Sequence, residues 1–169
     1  MATMDPGSRT DYLTRDKYGM YADQADNDHG PGPALMGADT LLGNDVYNNA
    51  EEDLGDIKEF MIEMRTGRIA YAVLSFGGFL GMGDKLFAVP WEALKLDPEN
   101  HRFVLDVDKE TLKNAPGFDK DHWPSMADPT WAQGVHRFYG TTYRGADDFS
   151  RSDRPVGGAD DVTRRDRLS

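Results

Sequence analysis

Four histidines, His29, His101, His122 and His136, have the widest chemical reach in this 169-residue chain. Neutral imidazole is a common metal ligand and titrates near neutral pH. Asp119, Asp121 and His122 lie close in sequence, with His136 further along, so a coordinating trio is the chemistry to weigh. No histidine pair has the i, i+4 spacing of a zinc-enzyme helix, however, and aspartates near a helix start ordinarily cap it. No metal site is assigned. Residues 77–83 are glycine-rich and lead through Asp84 to Lys85, which invites a phosphate-loop reading. A phosphate loop needs Lys followed by Ser or Thr at the start of a helix, whereas Lys85 precedes Leu86 and opens a strand. The dinucleotide fingerprint fails for the same reason, since no βαβ unit follows. Cysteine is absent, which removes thiolate nucleophiles and cysteine metal sites. Glu51, Glu52, Asp53, Asp56, Glu59 and Glu63 read as a solvated acidic face, and Ser75 lies in a strand pattern with no nucleophile elbow. These residues give no catalytic group and no cofactor site, so the chain is expected to be non-enzymatic.

The elements that would position any of these groups are mostly short strands. Residues 57–64 place Phe60, Ile62 and Met64 on one face, with Glu59, Glu63 and Arg65 among the alternate positions. Thr66-Gly67 supplies the positive φ of a tight hairpin. Residues 69–76 are apolar on both faces, which predicts a strand covered on two sides. Residues 85–91 form the next strand, stopped by Pro90. Before these, residues 41–47 read as a first strand with Gly43 at a bend or bulge. After them, residues 94–96 and 102–107 form a hairpin around Asp97-Pro98-Glu99-Asn100, where proline presets a type I turn. Residues 109–114 offer one or two helical turns before Pro116-Gly117. A clear amphipathic helix follows: Asp128 caps it, Pro129 takes its first position, Trp131, Val135 and Phe138 recur along one face, and Gly140 ends it.

Asp53-Leu54-Gly55, then Thr66-Gly67-Arg68-Ile69-Ala70-Tyr71, then Gly81-Met82-Gly83-Asp84-Lys85 running into Phe87-Ala88-Val89-Pro90-Trp91-Glu92-Ala93-Leu94 together resemble the PRC-barrel domain family over residues 40–115. That family is named from the cytoplasmic domain of the photosynthetic reaction-centre H subunit. It recurs in a ribosome maturation factor and in small stand-alone bacterial proteins, which this chain resembles most. Stand-alone members carry a segment similar to Phe118-Asp119-Lys120-Asp121-His122-Trp123-Pro124 before a Trp-containing helix. The resemblance implies an all-β fold, a small β-barrel with a short C-terminal helical extension, and the polar, charged composition of both ends predicts disordered tails. The expected divisions are a mobile acidic arm at 1–38, the barrel at 39–115, an aromatic-rich extension at 116–140 and a polar tail at 141–169. The resemblance also offers an alternative role, an accessory subunit of a membrane photosynthetic or electron-transfer complex. The match is to the scaffold, so no proton-pathway acid is carried across from the H subunit.

Partners are bounded by charge. A formal net charge of −11 opposes nucleic-acid phosphates and anionic lipid surfaces. No apolar run reaches the ~20 residues of a membrane helix, and no secretory signal pattern is present, so the protein is expected to be cytoplasmic, with peripheral association to a membrane complex as the alternative. Aromatic and apolar residues in places suited to contacts predict a protein-interaction module that self-associates as a homodimer: Phe79, Leu80 and Met82 on the glycine-rich loop, Trp91 after a strand, and Trp123, Trp131, Phe138 and Tyr139 in the extension. Tyr12, Leu13, Tyr18, Met20 and Tyr21 form a further strip in the arm that docks on a partner or on the barrel. Arg164, Arg165 and Arg167 read as part of a solvated tail.

Overall fold

Strand β3 (Arg68–Phe76) is buried from Tyr71 onward, on both faces, and the rest of the molecule is arranged to cover it. The computed structural model describes residues 16–21, 32–76 and 85–145; the glycine-rich loop, His29, the distal arm and the basic tail lie outside them. One helical turn, α1 (Ala38–Leu41), precedes β1 (Asp45–Tyr47), β2 (Asp53–Glu63), β3 and β4 (Lys85–Pro90). A 3-10 turn, Trp91–Ala93, leads into β5 (Leu94–Asp97) and β6 (Arg102–Leu105), followed by α2 (Lys109–Lys113) and α3 (Pro129–Tyr139).

The six strands form one sheet in the order β4-β3-β2-β1-β6-β5. All pairs are antiparallel except β1 with β6. The 3-10 turn joins the two edge strands, and the sheet curls into a half-barrel. Its concave side holds the main core, including Val46, Leu54, Ile57, Leu74, Phe87 and Phe103, all at most 1% exposed. On the opposite face of β3 and β4, Tyr71 and Ala88 pack against Val135 of α3. Strand β3 is therefore apolar on both faces because both are covered.

The predicted β3, β5–β6 hairpin, α2 and α3 are all present. Asp128 accepts a hydrogen bond from the Thr130 amide at 2.9 Å, and Gly140 stops α3 at φ 71°. Residues 41–47 differ from the expected strand. Leu41 and Leu42 bond back to the carbonyls of Gly37 and Ala38, completing α1, and the strand begins only after Gly43 turns the chain at φ 80°. The expected apolar face of β2 also differs. Register shifts between Ile57 and Glu59 and between Val46 and Tyr47 change the alternation, so Leu54, Ile57 and Phe60 all turn inward. Ile62 and Met64 remain 50% and 87% exposed, since the β2–β3 ribbon runs past the core and Met64 belongs to its turn. That turn is closed by Gly67 at φ 75°, as the Thr66-Gly67 pair predicts.

Candidate interaction surface

The extension begins with a close approach. Leu86 and Phe118 exchange two backbone hydrogen bonds of 2.8 Å, fastening the segment after α2 to edge strand β4. Gly117 makes this contact feasible, for a Cβ there would lie 2.6 Å from Lys85 Cε and 2.9 Å from the Leu86 carbonyl oxygen. From this anchor the chain passes Trp123 and Met126 and enters α3, which lies over β4. Apolar Ala132 and Val135 face inward, both at most 2% exposed. Trp131 meets the Tyr71 ring edge-on, with centroids 5.4 Å apart. The extension thus covers the outer face of β3 and β4 in its own chain.

Each aromatic group expected to make contacts has a definite place, save Phe79, Leu80 and Met82, which lie outside the described residues. Trp91 is committed to the core side, edge-on to both Phe60 and Phe103 at 5.8 Å. Phe138 and Tyr139 pack edge-on to each other and against the main core. Trp123 alone among these tryptophans is exposed, at 44%. It tilts against Phe118 at 4.9 Å, and its indole nitrogen donates to the Lys120 carbonyl at 2.9 Å. The ring is fixed from behind and open in front.

The polar groups are engaged locally. His122 Nδ1 lies 2.8 and 2.9 Å from the Asp119 carboxylate oxygens, while His136 Nδ1 meets the Thr141 hydroxyl at 2.7 Å. Burial holds His136 below the ordinary histidine range, against the opposing charge of Glu92. Among the described residues no group of three or more His, Asp or Glu side chains is placed to hold a metal ion. Nothing in the local sequence singles out Arg102, yet it ties two hairpins together. Its guanidinium donates to both Glu51 carboxylate oxygens at 2.8 and 2.9 Å, its Nε donates to Asp97 at 3.1 Å, and it lies over the Tyr47 ring at 4.6 Å. Long sequence separation hides such a partnership; only the turn residue Asp97 hints at it.

Asp45 sits opposite Asp56 across β1 and β2, with Asp53 nearby. Burial first, then the charges of Asp53 and Asp56, push its carboxyl up to about 6. The folded-state value exceeds the unfolded carboxylate value of about 4, so the folded protein holds the extra proton between these pH values. Stability from this group is present at the acidic end of that window and declines as pH rises through about 6. Asp45→Asn is therefore expected to stabilise the protein at pH 8 by about 1 kcal/mol, since solvent screens much of the repulsion at this partly buried group. Near pH 4 the gain should vanish. Thermal melts of variant and parent at both pH values check this, and an equal gain at both would reject the electrostatic cause.

A curled, mostly antiparallel six-strand sheet with a helix across its outer face defines a small module of half-barrel type. Residues 34–112 match the family model of the PRC-barrel domain, and the chain carries that domain. No curated protein matches the chain.

Proposed function

We propose that the protein is a non-enzymatic interaction module whose half-barrel holds an aromatic anchor outward for a protein partner, with a second copy of the chain as the first such partner. The carrying observation is Trp123, 44% exposed while its N–H is already satisfied and its back is supported by Phe118. Aromatic rings fixed in advance lose little freedom when a partner covers them, which is why such residues dominate interface energies. The chemistry-bearing side chains support the same reading, because His122, His136 and Arg102 are engaged with neighbours from their own chain.

Trp123→Ala is the direct test, read by light scattering on the purified protein and by capture of partners from native lysate. The melting temperature should fall only modestly, since the change removes one ring contact worth about 0.5–1.5 kcal/mol and a hydrogen bond that is solvent-exposed. Association should weaken by about tenfold or more. Unchanged association removes Trp123 as the anchor, whereas a large fall in melting temperature reassigns it to folding.

A further inference from the structure

Residues 16–21 lie on the end of the half-barrel, and what receives them is shaped for a particular sequence. The Asp16 carboxylate accepts from the Met20 and Tyr21 amides at 2.6 and 3.0 Å, folding the segment into a self-contained turn. Tyr21 enters the core at 7% exposure. Its ring stacks on His101 at 4.3 Å and 13°, and its hydroxyl is bonded by the side-chain amide of Asn44, itself 1% exposed. His101 is presented by the β5–β6 turn at φ 51°. Met20 has its own berth. Its sulfur takes the Gly37 amide at 3.0 Å, and a Cβ at Gly32 or Gly37 would lie 2.0 Å from the Met20 carbonyl oxygen or 3.0 Å from its methyl. Two glycines, a buried amide and a stacked imidazole thus recognise a Met-Tyr pair.

We propose that this barrel end is a peptide-binding site for an Asp-x-x-x-Met-Tyr turn, filled by the chain's own residues 16–21 and exchanged with the same segment of a second copy. The inference rests on the reading of the chain as a self-associating module and deepens it. Met20 lies against Gly32, so the two described ends that the ten residues 22–31 connect are in contact when the segment binds its own barrel. Extended, those ten residues can span roughly 34 Å, enough to reach a neighbouring barrel. Every contact within the site is the same in both arrangements. Exchange therefore sacrifices none of them and relieves the closed loop, while its partner concentration must compete with an effective local concentration in the millimolar range.

Mixing two full-length variants tests the exchange. Tyr21→Ala has an intact site and a defective segment; Asn44→Ala has the reverse, and His101→Gly replaces it should Asn44→Ala fail to fold. Each variant alone should lose the part of self-association that the exchanged segment supplies, as read by native mass spectrometry. An equimolar mixture should give a heterodimer with affinity about tenfold or more above either self-association, as expected when one intact segment meets one vacant site. A synthetic peptide of residues 14–22 should dissolve it. If both variants melt cooperatively and the mixture gives no heterodimer, or the peptide leaves it intact, the exchange is overturned. Adding Trp123→Ala to both variants separates the two ideas. A heterodimer that survives supports exchange even where the aromatic anchor fails. Wild-type association abolished by Trp123→Ala, with no heterodimer in the mixture, overturns exchange and leaves the interaction module standing.

Discussion

Gly55→Ala is expected to remove about 3–5 kcal/mol of stability, backbone strain and forced overpacking together, a large share of the roughly 5–15 kcal/mol that holds a domain together. Gly55 has φ 115°, and a Cβ built on it would lie 2.0 Å from the Ser75 carbonyl oxygen and 2.9 Å from its carbon. Both obstacles are backbone atoms of β3, so no rotamer change relieves the collision. Strand β2 has little room to shift, because Leu54 just before Gly55 and Ile57 two residues after it are at most 1% exposed. Gly67→Ala provides the control. Gly67 also has positive φ, 75°, but a Cβ added there would meet nothing within 4 Å, so only backbone strain of about 1 kcal/mol is expected. Denaturant titration of both variants should separate them clearly. Equal losses would show that φ alone, and not the approach to Ser75, fixes the choice of glycine at 55.

Gly55 also shows where the sequence stops being legible. The segment Asp53-Leu54-Gly55 contributes to the family resemblance, but nothing local says that this glycine faces another strand's carbonyl. Local signals work where one segment contains its own reason. Thr66-Gly67 spells a turn, Asp128-Pro129 opens a helix, Gly140 closes it, and an unbroken apolar run in β3 requires cover on two faces. Signals fail where the reason lies across the sheet. The register shifts that turn Leu54, Ile57 and Phe60 inward depend on which residues β1 and β3 place opposite β2. Exposure of Ile62 depends on where the core ends, which periodicity does not encode. At the barrel end, the aromatic strip containing Tyr21 is visible in sequence; its partners Asn44 and His101 are not, being 23 and 80 positions away.

The same limit applies to the tryptophans, and it yields the second large effect. Trp91→Ala is expected to cost about 3 kcal/mol, the low end of the range for deleting a large aromatic from a core, because Trp91 is partly buried and packs against the core. Trp91 begins the 3-10 turn between the edge strands and touches Phe60 of β2 and Phe103 of β6, so its ring bridges the two flanks of β1. Truncation would remove both edge-on ring contacts, each contributing about 0.5–1.5 kcal/mol beyond area burial, and leave the curl of the sheet without its central support. Trp123, of identical type, touches one ring of the extension and presents nearly half its surface to solvent. Trp91→Ala should therefore lower the denaturation midpoint sharply, and any loss of association should follow the fraction unfolded. Trp123→Ala should lower association far more than it lowers the midpoint. Measuring both quantities on both variants decides the assignment: association lost by folded Trp91→Ala protein would place the binding surface at the concave end of the half-barrel rather than on the extension.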